Sequence, residues 1–166
     1  TNTVMTVGFR WGIVVMLLDI LKGTIPVLIA RSLYQDQPLI WVLAGFFAIL
    51  GHVFPFLYKF KGGKGTATYA GLLFGIQPLF GLVVFILFFV ILIIADYIVI
   101  STIFSVIFVP IYIYFFTDFG IYPVIVMTLI ALISISKHIE NLKRIAEGKE
   151  LSFRKYLLKR KEKTSK

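Results

Sequence analysis

Leu79-Phe80-Gly81-Leu82-Val83-Val84-Phe85-Ile86-Leu87-Phe88-Phe89-Val90-Ile91-Leu92-Ile93-Ile94-Ala95 is a run of seventeen residues without a charge or a side-chain hydrogen-bonding group. As a helix it rises about 25 Å, close to the hydrocarbon thickness of a bilayer, and it has no polar face with which to meet water. The composition around it says the same. The chain is 59% hydrophobic and 15% charged over 166 residues, with a mean hydropathy of +0.95, outside the range in which a soluble domain can hide its apolar surface. Downstream come Tyr97 to Phe116 and Phe119 to Ser136, separated by Thr117-Asp118; upstream lie Leu39 to Leu57 and Trp11 to Ala30. The piece from Ala67 to Gly75, before Gln77-Pro78, is too short to cross alone. It predicts a half helix that neighbouring helices must cover. The expected fold is therefore all-α, a polytopic membrane helix bundle of about five full spans plus one short half helix over residues 1–136, with a basic tail at 137–166.

Charge sets the expected orientation. The tail holds 11 of the 17 Lys and Arg against 4 of the 8 acids. In a membrane protein that pattern predicts a cytoplasmic segment able to lie against anionic headgroups, rather than a nucleic-acid arm. The link Tyr34-Gln35-Asp36-Gln37-Pro38 carries no Lys or Arg, whereas Lys59, Lys61 and Lys64 follow the next span. The first link should face out and the lysine loop in. The half helix makes the parity close, so the loop, Asp96 and the start of the tail share one membrane face. Thr1-Asn2-Thr3 has no charged n-region and no small-residue cleavage site; no signal peptide is expected there, and the chain is expected to begin mid-sequence. The absence of cysteine removes disulfides, thiol nucleophiles and thiolate metal sites.

The most specific local signal is Gly51-His52-Val53-Phe54-Pro55 followed by Phe60-Lys61-Gly62-Gly63-Lys64-Gly65-Thr66-Ala67-Thr68. Glycines let backbone N–H groups approach an anion, and a helix starting near Thr66 would point its positive dipole end at the same spot. Lys61 and Lys64 add charge. A plain glycine turn accounts for the glycines but not for both lysines and the flanking threonines, so the expectation is a phosphate site. It is not a Walker A loop, because Tyr58 and Gly65 stand where that motif needs Gly and Ser or Thr.

His138 and Asn141, three residues apart, share one helical face where the last span meets the cytoplasm. An imidazole there could take a proton while an amide orients a substrate; an interfacial helix end with snorkelling bases reads equally from the same residues. Asp19 and Lys22, also three apart in an apolar helix, are expected to be paired and buried, either lining a site or tying two helices together. His52 suits a structural helix end as well as a functional role. With His52 and His138 the only histidines, no metal site has defensible ligand spacing.

These motifs resemble a known family, the bacterial acyl-phosphate:glycerol-3-phosphate acyltransferases, small multi-pass enzymes of phospholipid synthesis. Gly51-His52-x-Phe54-Pro55 through Lys61-Gly62-Gly63-Lys64-Gly65-x-Ala67-Thr68 looks like the family's second motif. Leu18-Asp19-Ile20-Leu21-Lys22-Gly23-x-x-Pro26-Val27 is similar to its early helix, and His138-x-Glu140-Asn141-Leu142-x-Arg144 with Gly148 to its third motif. The chain resembles a member lacking the first helix and most of the first motif before Thr1-Asn2. Met5 stands where the family usually has arginine, Asp96-Tyr97-Ile98-Val99 where Arg-Tyr-x-Ser is common, and Ile139 where arginine is frequent.

The resemblance implies transfer of a fatty acyl group from acyl-phosphate to the 1-hydroxyl of glycerol 3-phosphate, giving lysophosphatidic acid, in a bacterial inner membrane. It implies no cofactor, since an acyl-phosphate is already activated, and it implies a soluble acyl-phosphate-producing partner. Lys64 with the amides of Gly62, Gly63 and Gly65 would hold phosphate, assisted by Lys61. Asn2 and Asn141 would orient the glycerol, His138 would serve as base or orienting group, and Asp19, Lys22 and His52 would support the site. Two alternatives remain beside it: a catalytically impaired relative that binds a phosphorylated lipid precursor or a partner enzyme, suggested by Met5, Asp96 and Val99, and a small broken-helix transporter.

Overall fold

The structure, a computed structural model, describes residues 8–60 and 62–164. The described residues form seven α-helices: α1 (Phe9–Leu33), α2 (Pro38–Val53), α3 (Thr66–Ile76), α4 (Pro78–Ala95), α5 (Ile98–Phe116), α6 (Ile121–Ala146) and α7 (Phe153–Thr164). Five of the seven are long and apolar enough to cross a membrane; α3, at eleven residues, is not. The expected all-α bundle of five spans plus a half helix is what forms, and most of its large exposed side chains are Leu, Ile, Val and Phe, as lipid contact requires.

Helix α3 sits at the centre. It packs on α1, α2 and α4, while α2, α6, α5 and α4 continue side by side around it. Thr68, Tyr69, Gly71, Leu72, Leu73, Gly75 and Ile76 of α3 are buried. The seam with α1 is backbone against backbone. A Cβ on Gly71 would run into the Ile20 carbonyl, and one on Gly23 into the Thr68 carbonyl. Thr24 Oγ1 donates across the same seam to Gly71 O at 3.0 Å, so small residues set the spacing and a hydroxyl ties it, as in other membrane helix pairs. Tyr69 OH reaches Ser105 O on α5 at 3.3 Å.

Helix α6 continues past Ser136 to Ala146, ten residues into the expected tail, because its inward face stays buried through His138 and Asn141 while Glu140, Lys143 and Arg144 are exposed. The remaining tail is not free either. Phe153 N donates to Asp96 O at 2.8 Å, which pins the start of α7 to the α4–α5 turn.

Candidate active site

The lysine loop is held from below by α2. Gly63 N donates to His52 O at 3.2 Å, and a Cβ on Gly63 would strike His52 Nε2, while one on Gly62 would strike the His52 carbonyl. These two glycines are therefore dictated by close packing on the helix end. The Gly63 amide is spent on that packing, which corrects the expectation that it would cradle phosphate. Gly65 is required for another reason: it precedes α3 at φ 81°, where a side chain would be strained. No side chain caps α3, so the first-turn N–H groups at Thr66 form an open, positively polarised end.

His52 Nδ1 lies 3.2 Å from Asp19 Oδ1, and Lys22 Nζ lies 3.1 Å from the same oxygen. The carboxylate thus links α1 to the end of α2 that carries the loop. Lys22 corrects the expectation of burial, since its side chain is 53% exposed. One flexible stem is enough to bring the charge out of the apolar face.

Above the loop stands α6. Lys64 Nζ donates to Asn141 Oδ1, and Asn141 Nδ2 donates to Glu150 Oε1 at 2.7 Å. Glu150 Oε2 in turn pairs with Arg144 Nε at 2.7 Å. The Asn141 amide is oriented at both ends, with its oxygen on the cation and its nitrogen on the acid. His138, one helical turn earlier and 2% exposed, places Nδ1 at 2.8 Å from Ser134 O. A carbonyl can only accept, so Nδ1 carries the proton and Nε2 of the neutral ring is the acceptor. Thr66 and Thr102 bring their hydroxyls within 3.5 Å of each other beside the loop, joining α3 to α5.

The electrostatics suit an anion. Partial burial of the Lys64 ammonium pulls its pKa below the ordinary lysine value, with Glu150 pulling it back up and Arg144 pushing it further down. Burial pushes the Glu150 carboxyl up, but the hydrogen bonds from Asn141 and Arg144 and the nearby positive charges outweigh it and hold the acid below its usual range. Glu150 stays ionised at neutral pH.

The structure thus unites Lys64, Asn141 and the open end of α3, with His138 on the same buried face of α6. Asn2 and Lys61 lie outside the described residues. Glu150 and Thr102 escaped the sequence reading. Glu150 is an acid inside a basic tail, nine residues from the amide it holds. Thr102 had one visible signal, the hydroxyl cluster Ser101, Thr102 and Ser105 in an otherwise apolar span. Among the described residues, no group of three or more His, Cys, Asp or Glu could hold a metal.

A bundle of membrane-spanning helices with buried polar side chains gathered at one end, around a cationic loop, defines a polytopic integral membrane enzyme. A sequence profile described as glycerol-3-phosphate acyltransferase matches residues 1–148. The glycerol-3-phosphate acyltransferase of Bacillus subtilis (strain 168) is 40% identical over 151 residues, covering 90% of this chain and 76% of that protein. That of Geobacter sulfurreducens is 41% identical over 157 residues, covering 93% and 78%. The structure superposes with a TM-score of 0.85 and 30% identity on PlsY, an integral membrane glycerol 3-phosphate acyltransferase, in its glycerol 3-phosphate form, over 92% of this chain and 76% of the other. The chain belongs to the glycerol-3-phosphate acyltransferase family and acylates glycerol 3-phosphate. The relatives lend no support to the non-catalytic alternative.

Proposed function

We propose that the acyl donor is an acyl-phosphate and that the lysine loop, α3 and α6 divide the work of transfer among named residues. The observation that carries the reading is the meeting of Lys64 with Asn141 beside an uncapped helix N-terminus, one turn from a histidine with a free acceptor nitrogen. Lys64, the open N–H groups of α3 and the Gly62 and Gly65 backbone hold a substrate phosphate; the roles expected of Lys61 and Asn2 fall outside the described residues. Asn141 orients the glycerol. The 1-hydroxyl oxygen attacks the acyl carbonyl carbon, the new ester C–O bond forms, and the carbonyl carbon–oxygen bond to phosphate breaks. The hydroxyl proton passes to His138 Nε2 and then to the departing phosphate, so no external acid, oxidant or metal is needed for balance. Binding both phosphates in one orientation supplies most of the advantage, because the donor is already activated.

The loop end of the bundle is read as cytoplasmic, from the lysines of the loop and tail, in a bacterial inner membrane, with the donor delivered by a soluble enzyme that makes acyl-phosphate. The test is acyl transfer from palmitoyl-phosphate to radiolabelled glycerol 3-phosphate by the purified protein in detergent, with Lys64→Ala as control. Lysophosphatidic acid from the native chain and a severe loss in the variant are expected. Release of phosphate from the donor at the same rate with and without glycerol 3-phosphate would sink the reading.

A further inference from the structure

Between the end of α6 and the start of α7 runs a short strap, and Glu150 is part of it. At one end, Lys149 N and Glu150 N both donate to Arg144 O, at 2.8 and 3.0 Å, after a turn that Gly148 closes at φ 68°. At the other end the strap is fastened to the α4–α5 turn. Phe153 N donates to Asp96 O at 2.8 Å, Arg154 N to Asp96 Oδ1 at 2.8 Å, and the Arg154 guanidinium to Ile93 O at 3.0 Å. Ser152, 5% exposed, lies between the two ends and accepts from Lys155 N at 3.3 Å.

Asp96 is shaped for this task. It ends α4 in the left-handed region at φ 63°, a conformation that Asp tolerates better than most side chains. From there both its carbonyl and its carboxylate face the first turn of α7. The first N–H groups of a helix have no partner inside it. Here Asp96 takes the amides of Phe153 and Arg154, and Ser152 takes that of Lys155. A helix with so many basic residues has little reason to begin against the bundle unless an acid meets its positive end.

The consequence reaches the site because the strap is short. Phe153 lies three positions after Glu150, a reach of at most about 10 Å even fully extended, so the fastening at Asp96 limits where the Glu150 carboxylate can stand. Glu150 is the group that orients Asn141, and Asn141 meets Lys64. We propose that Asp96 is a positioning residue for substrate phosphate, acting through the strap on Glu150, Asn141 and Lys64. This rests on the reading of Lys64 and Asn141 as the phosphate site and adds to it a residue more than thirty positions from either in sequence.

The test uses the full chain in detergent and four variants: Asp96→Ala, Asp96→Asn, Arg154→Pro and Arg154→Ala. Asp96→Asn keeps a side-chain oxygen to accept the Arg154 amide. Arg154→Pro removes that amide in a first helical turn, where proline is tolerated, and Arg154→Ala keeps it. Asp96→Ala and Arg154→Pro should each raise KM for glycerol 3-phosphate about tenfold, the scale of a lost charge-assisted hydrogen bond, with kcat changed far less. Asp96→Asn should stay near wild type, and Arg154→Ala, which gives up only the exposed guanidinium's bond to Ile93 O, should lose far less than Arg154→Pro. Amide hydrogen exchange should speed up at residues 149–153 in the first pair while the middle of α6 stays protected.

If Asp96→Ala does not fold, the two Arg154 variants on the exposed helix decide. Unchanged KM despite faster exchange in the strap would overturn the proposal, as would equal loss in Arg154→Ala and Arg154→Pro. Should the wild type show no acyl transfer, the reading of the reaction fails by itself. The positioning role is then judged by calorimetric affinity for glycerol 3-phosphate, with Lys64→Ala as the non-binding reference.

Discussion

Helix α3 meets a cation at each end, and the two ends behave oppositely. At its C-terminus, Arg31 Nη1 donates to Ile76 O at 2.9 Å, and the guanidinium lies 5.6 Å from the Trp41 ring centroid. A positive group on the negative end of a helix is satisfied where it stands. At the N-terminus, Lys64 sits beside the positive end of the same helix, and its only described hydrogen-bond acceptor is a neutral amide oxygen. There the charge and the dipole have the same sign, and an anion would relieve both. One end is complete within the protein; the other has the charge and geometry to receive an anion.

The sharpest way to break this comparison is to remove each cation in turn. Lys64→Ala should lower kcat/KM by about 10²- to 10³-fold, the usual effect of deleting one donor from a charge-stabilising site, and leave the folded state as stable as before or more so. Inorganic phosphate should raise the Tm of the native chain and do so less in the variant. Equal phosphate stabilisation of both proteins would show that the anion binds elsewhere. Next in size is His138→Gln, which replaces the basic Nε2 on the buried face of α6 with an amide that cannot take up a proton. A loss of about 10²-fold in kcat with little change in KM is expected of a missing general base. A loss confined to KM would make His138 an orienting group.

At the other end, Arg31→Gln should cost about 1 kcal/mol of stability, or roughly 2–4 °C in Tm, since the bonded side chain is partly exposed and the lost bond is single. Its kcat and KM should stay at native values. An activity loss from Arg31→Gln larger than its stability loss would mean that both ends of α3 serve the reaction.

The same contrast separates what the sequence made legible from what it hid. Spans were readable because lipid contact demands uninterrupted apolar runs, and α3 because eleven residues cannot cross a bilayer. His138 and Asn141 were readable as a pair because helical spacing of three fixes a common face. The last ten residues of α6 were hidden because Glu140, Lys143 and Arg144 are exposed there, and a charge count cannot tell a solvated tail from the outer face of a helix. Parity put Asp96 on the face of the loop and tail, but its contact with α7, like that of Glu150 with Asn141, was hidden for a deeper reason. Each acts by meeting a segment distant in sequence, and no periodicity marks such a meeting. Gly62 and Gly63 were noticed, but their cause was not: contact with His52 leaves the same trace in sequence as contact with an anion.

The smallest effect concerns pH and bears on Lys64 alone. Its pKa lies below that of an ordinary lysine, so the neutral amine gains ground at lower pH than usual, and phosphate binding should weaken as pH rises through that value. Activity should therefore show an alkaline limb earlier than a free lysine would give. A bound phosphate favours the charged ammonium and moves the pKa back up, so the limb in kcat, which reports the complex, should lie at higher pH than the limb in kcat/KM, which reports the free enzyme. Arginine does not deprotonate in this range. Lys64→Arg, whatever activity it retains, should lose the limb from both profiles. An alkaline limb that persists unchanged in Lys64→Arg would assign it to another group, and the cation at the head of α3 would no longer be the one whose charge sets phosphate binding.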